Sequence, residues 1–178
     1  MIALQITSMK NFMNHLLVAD TFDPFLLEEA TISTALTVTI DGHINKDFYP
    51  ADERGEDCIP WELQSFSKIK GLCFDLIKGK HTPLYFKFVL HMQPDKAAAM
   101  LTKAQVNPDV IRALVLNIRY DGEKTVLTTG CAYQTFTMDK SADTVWDKAL
   151  KKYLDLKGIA YEAVSYTHLR AHETAANL

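Results

Sequence analysis

The sequence predicts an α+β fold, with antiparallel sheets and about four helices in one domain over residues 1–163. Three observations carry this. Several stretches alternate apolar and polar residues with the period of two of half-buried strands, while others space apolar residues at three and four, as helices do. Asp-Gly pairs at Asp41-Gly42 and Asp121-Gly122 lie between alternating runs, a strong short-range hairpin signal. The order strand, helix, hairpin, helix is met twice along the chain.

The first strand is expected over Ile2 to Thr7, where Ile2, Leu4 and Ile6 alternate with polar or small neighbours. Ser8 can cap a short helix carrying Phe12, Met13, Leu16 and Leu17 on one face. After Asp23-Pro24, the alternation from Thr31 to Ile40 reads as one long strand turned by Asp41-Gly42 into a partner over His43 to Tyr49. An acidic stretch then leads to Ile59-Pro60-Trp61, where proline suits a helix start. Phe66, Ile69, Cys73, Leu76 and Ile77 recur at helical spacing as far as Lys78-Gly79, a stop signal.

The second half follows the same order. Leu84, Phe86, Phe88, Leu90 and Met92 alternate as a strand, and Pro94 opens a helix through Ala97, Ala98, Met100 and Leu101. A strand with Leu114, Leu116, Ile118 and Tyr120 turns at Asp121-Gly122 into a return from Lys124 to Phe136. Ser141 caps a helix holding Val145, Trp146, Ala149, Leu150, Tyr153 and Leu154, closed by Lys157-Gly158. Two half-repeats, 1–80 and 81–163, are therefore consistent with a tandem βαββα duplication. Each half would end in a helix begun by tryptophan, and Leu36, Val38 and Ile40 would correspond to Leu116, Ile118 and Tyr120. The short Gly79–Pro83 connection argues for one unit.

Composition narrows the function classes. The 178 residues are 48% hydrophobic and 23% charged, which excludes a disordered chain, and no apolar run approaches the roughly 18 residues of a membrane span. The N-terminus lacks a secretory signal pattern, so a soluble, cytoplasmic protein is expected. A net charge of -3 implies no bulk attraction to nucleic acid or membrane. Cys58, Cys73 and Cys131 are odd in number, widely spaced and without a CxxC pair, so reduced thiols are expected rather than a disulfide framework or zinc ribbon. No phosphate-binding, nucleophile-elbow or metalloprotease motif is present, and no cofactor is expected.

Candidate chemistry is sparse. His15, His43, His81 and His91 are separated by whole elements, and any one could serve as an acid-base group only with partners that the sequence does not reveal. Cys131, after Gly130 in a predicted strand, is a candidate nucleophile or a structural thiol. Asp52, Glu53, Glu56 and Asp57 lack the set spacing of a cation loop, and Arg54 lies among them, so no metal is expected. The leading expectation is a non-enzymatic binding or scaffold protein, its partner another protein or a second copy. The alternative is nucleic-acid binding through Lys68, Lys70, Lys78 and Lys80 on one helix region and Lys148, Lys151 and Lys152 on the other. The third is an enzyme with Cys131 or a histidine in a cleft.

Several stretches resemble an uncharacterised bacterial family of the Clostridia type, a domain of unknown function. They are Phe22–Leu27, Leu72–Lys80, Leu116–Gly122 and Thr135–Ser141, and together they imply a match over nearly all of residues 1–163. The resemblance implies no site residues. The repeated strand-helix-hairpin order is also similar, in topology alone, to the units of DNA sliding clamps. Val164 to Thr174 resembles one translated frame of a sequencing adapter, so residues 164–178 are expected to be a non-native tail that packs poorly, and the His168 and His172 pair is assigned no metal.

Overall fold

A computed structural model describes residues 1–165. Its strands are β1 (Ala3–Ile6), β2 (Phe25–Ser33), β3 (Thr37–Asp41), β4 (Gln64–Ser65), β5 (Tyr85–Met92), β6 (Ile111–Tyr120), β7 (Thr125–Tyr133) and β8 (Tyr161–Ala163). The helices are α1 (Met9–Leu17), α2 (Phe66–Ile77), α3 (Pro94–Lys103) and α4 (Ser141–Lys157). All strand pairs are antiparallel, in the order β3-β2-β5-β6-β7-β1-β8, with β4 beside β2. The α+β class and four helices read from the sequence are thus found.

Strand alternation decides where the helices go. In β5, Phe86, Phe88 and Leu90 point to one face, and their register partners Tyr120, Ile118 and Leu116 in β6 point the same way. Ile32, Ala30 and Leu27 of β2, and Leu127 and Thr129 of β7, continue that face. All of these are buried. Every helix adds to the same core: Phe12, Leu16 and Leu17 from α1, Phe66 and Cys73 from α2, Ala97 and Leu101 from α3, and Ala142, Trp146, Leu150 and Leu154 from α4. The result is two layers, with helices on one face and a half-buried face holding Thr31, Lys87, Val89, Asn117, Val126 and Thr128 on the other. An aromatic chain from Phe12 through Phe22 and Phe25 to Trp146 ties α1, β2 and α4 together, and the Trp146 indole N–H donates to the Val115 carbonyl at 2.9 Å.

The second half follows the sequence closely, except that Ser141 is the first residue of α4 and Lys140, not Ser141, stands at its cap. Pro94 stands at the first turn of α3, and Gly158 closes α4 in the left-handed region at φ 70°. The 121–124 turn joins β6 to β7, with Gly122 at φ 102° and the Asp121 carboxylate accepting from the Glu123 and Lys124 N–H groups.

The first half departs in three places. The chain reverses at residues 34–36, where Thr34 N–H donates to Leu36 O, and Ser33 faces Thr37. The predicted single strand from Thr31 to Ile40 is therefore the second part of β2 plus all of β3, and no strand follows Asp41-Gly42. Neither helix begins at tryptophan: Trp61 precedes β4, α2 starts at Phe66, and Trp146 lies inside α4. The backbone of residues 59–65 instead returns to the β2 edge, with Leu63 bridging His43 and Ser65 pairing Leu26.

The second half has the order βαββα, but in the first half β4 stands between β3 and α2, and β5 neighbours β6 whereas β1 pairs β7 and β8 rather than β2. Leu36 is a turn residue while Leu116 is a central-strand residue, so the expected correspondence of Leu36, Val38 and Ile40 with Leu116, Ile118 and Tyr120 does not hold. One sheet runs through both halves by way of the β2–β5 pair. The Val164 N–H donates to Ala3 O at 2.9 Å, extending the β8 pairing past the point where the foreign tail was expected to begin. The rest of that expectation, including His168 and His172, falls on residues outside those described.

Gly42 has a different task from a turn glycine. Its N–H donates to Glu28 O, and a Cβ there would lie 1.8 Å from Leu27 O. Leu27 and Glu29 flank a bulge in β2, and the strip after β3 closes against it. Gly42→Ala is therefore expected to cost more than about 2 kcal/mol in urea unfolding, through a backbone collision that no rotamer relieves. Gly71, within α2 with nothing near its missing Cβ, provides the contrast: Gly71→Ala is expected to stabilise by about 0.5–1 kcal/mol.

Candidate binding groove

A groove of about 600 Å³ lies between α1, the end of α2 and the 78–83 segment, with Tyr120 of β6 also in its lining. Its α1 wall is Met9, Met13 and Leu17 with Val18 beyond the helix end, and its α2 wall is Phe74 and Ile77. Helical spacing produces this. Phe12, Leu16 and Leu17 face the core, so Met9 and Met13 occupy the shoulder of the apolar stripe and remain half-buried. In α2, Phe66 and Cys73 take the core, which turns Phe74 outward to 40% exposure; Val18 is 58% exposed. Lys10, Lys78, Lys80 and His81 are the titratable residues of the lining apart from Tyr120, and no carboxylate is among them.

The predicted lysine set is divided. Lys78 and Lys80 reach the groove, and Lys78 pairs with Asp75 at 2.7 Å. Lys70 donates to Ala19 O at 2.8 Å and to the Asp23 carboxylate at 2.6 Å, so its ammonium is spent inside the fold. Lys68 is exposed on α2. Lys148 and Lys152 are exposed and Lys151 half-buried on α4, which packs on β7, while α2 packs on β2 with β5 and β6 lying between those strands. The structure thus brings two of the seven to one concave feature. Neither Met9 nor Phe74 is among the helix-face residues expected from the sequence; the available signal is Phe74 standing off the stripe of Phe66, Ile69, Cys73 and Leu76.

The other candidate groups are engaged elsewhere. Cys131 is half-buried near Asp143 and Asp147, and burial, with those carboxylates adding to it, pushes its thiol up to about 12. The Asp143 carboxylate accepts from the Tyr133 hydroxyl, and Asp147 accepts from Thr129 and from the Met1 amino group. The thiol is therefore held protonated, opposite to what a nucleophile needs. Buried Cys73 is pushed up to about 12 by burial.

Three of the four candidate histidines are likewise paired, and His81 lines the groove. His15 bonds Thr21, His43 bonds Asp41, and His91 on the open face meets Glu28, which the bulge sets on the same side as Glu29 and its partner Lys87. The Asp41 carboxyl is held below its ordinary value chiefly by the His43 backbone N–H, with the imidazole adding to it. In the acidic loop, Arg54 turns to Tyr49 O and Asp47 rather than to Asp52, Glu53, Glu56 or Asp57. No group of three or more His, Cys, Asp and Glu side chains converges among the described residues. No described helix is long and apolar enough to cross a membrane.

Two outcomes follow from the thiols. At about pH 8, iodoacetamide should label exposed Cys58 roughly tenfold or more faster than Cys131, and Asp143→Asn should speed the Cys131 reaction by removing a charge that opposes the thiolate. Folded Cys73 and Cys131 keep protons that the unfolded chain releases near 9.0, so their contribution to stability is full below that pH and is lost as pH rises toward about 12. The urea midpoint should fall across that interval, and a flat profile would contradict it.

Comparison with curated proteins and with solved structures finds no match. A family model described as a family of unknown function, DUF5721, matches residues 15–162, and the chain belongs to that family.

Proposed function

We propose that this chain is a non-enzymatic binding module, a single domain working in the cytoplasm, that captures a segment of another protein in the α1–α2 groove. The observation that carries this reading is the groove's composition. Met9, Met13, Val18, Phe74 and Ile77 keep apolar surface that the fold leaves partly uncovered, beside polar groups able to set orientation. Methionine adapts its shape to what it meets, which suits a surface that receives a side chain from outside.

The engaged state of Cys131, His43 and His91 supports binding over catalysis, since each polar partner is already met within the chain. The cytoplasmic placement is supported by free thiols, with Cys58 exposed. The divided lysines give less support to the DNA reading, which needs one continuous basic surface.

The test is selection from a display library of random 15-residue peptides against the whole chain and against a Val18→Asp/Phe74→Asp variant. Both positions are exposed, so the variant should keep its Tm within a few degrees. Enriched peptides should bind the parent and lose roughly tenfold or more on the variant. Peptides that bind both equally would place recognition elsewhere and overturn the reading.

A further inference from the structure

Resting on that reading of the groove, we infer that its occupant is an acidic amphipathic helix of a partner protein. The walls define the shape. Half-buried Met9 and Met13 at i and i+4, with buried Leu17 at i+8 as the floor, make a row rising about 12 Å along α1. Phe74 and Ile77 stand at i and i+3 in the last turn of α2, and Lys78 follows as its extended C-cap. A trough between two such rows accepts the ridge of a third helix, whose own anchors at i, i+3 or i+4, and i+7 span a similar length of about 10 Å. Addition of a strand is the poorer fit, because the sheet edges are β3, β4 and β8, while the strand residue in the groove is Tyr120 of internal β6.

Charge selects the chemistry of the occupant. Lys10, Lys78, Lys80 and His81 line the groove without a carboxylate, on a chain whose net charge is -3. Lys78 has Asp75 as its partner, whereas neither Lys10 nor Lys80 has an ion-pair partner among the described residues. A helix bearing glutamates beside its apolar stripe meets these ammonium groups, and a basic helix is repelled by them.

The experiment uses the whole chain and two synthetic 18-residue peptides as probes. Both carry Leu at i, i+3, i+4 and i+7; one has Glu and the other Lys at the flanking positions. By fluorescence anisotropy at about 50 mM salt, the Glu peptide should bind roughly tenfold more tightly, with the margin shrinking at about 200 mM. Lys10→Glu/Lys80→Glu, at two exposed sites, should reverse the preference, and Val18→Asp/Phe74→Asp should weaken both peptides.

Equal binding of the two peptides, or a preference for Lys, would overturn the inference; if Val18→Asp/Phe74→Asp still weakened both, the groove reading would stand. A Glu preference that survives the Lys10→Glu/Lys80→Glu change would overturn it too. So would tighter binding to phosphatidylserine vesicles than to the Glu peptide, since a lipid surface would then be the occupant.

Discussion

The structure depends on the one-sidedness of its sheet. Side chains on a strand alternate, and β5 sits inside the sheet with Phe86, Phe88 and Leu90 on one face and Lys87, Val89 and His91 on the other. Burying three large apolar residues on one side requires all four helices to come to that side. A register slip of a single residue would turn Phe86 and Phe88 to water and Lys87 inward, so the pairing of β5 with β2 and β6 is strongly fixed. Because β2 belongs to the first half and β5 to the second, the same constraint joins the halves. It also settles where surface is left over: α1 packs against α2, and the shoulders of their two apolar stripes diverge above Tyr120.

The side chains that could carry chemistry are held by the same packing. Cys131 lies at the sheet level under α4, and the carboxylates of Asp143 and Asp147 that keep it protonated are there because α4 lays Ala142, Trp146 and Leu150 on the core. Glu28 reaches His91 because the bulge places two consecutive acids on one face, where regular alternation would separate them. These contacts stiffen the fold. The groove differs at its rim, where Lys10, Val18, Phe74 and Lys80 are exposed, while Leu17 and Met9, whose sulfur accepts from the Thr125 hydroxyl, form its core side.

Much of this was legible in the sequence, and the failures have physical causes. The alternation of β5 and β6, Pro94 at the start of α3 and Gly158 at the end of α4 follow from local stereochemistry. The two Asp-Gly pairs show the limit. At Asp121-Gly122 the carboxylate gathers the following N–H groups and glycine takes positive φ, as a turn requires. At Asp41-Gly42 the carboxylate gathers the His43 N–H in the same local way, yet glycine is needed for the approach to Leu27, a contact between segments distant in sequence. The turn at 34–36 carries neither glycine nor proline, so nothing marked it. Pro60-Trp61 resembled a helix start because the chain's return to the β2 edge is a tertiary event. The groove was invisible for a related reason: Met13, like Leu17, read as core, and only the placement of α2 shows that Met13 stays partly uncovered while Leu17 is buried.

The methionine methyl groups give the most direct test of the central claim, that the uncovered shoulder of α1 and α2 receives a partner helix. The chain has six methionines, and Met9 and Met13 alone line the groove, while Met1 is exposed at the N-terminus, Met92 follows the core face of β5, Met100 lies on α3 and Met138 stands exposed before α4. In a methyl NMR titration with the acidic helical peptide, Met9 and Met13 should shift together and saturably while Met92, Met100 and Met138 stay in place. Shifts confined to Met100 or Met138, or none at saturating peptide, would contradict the account.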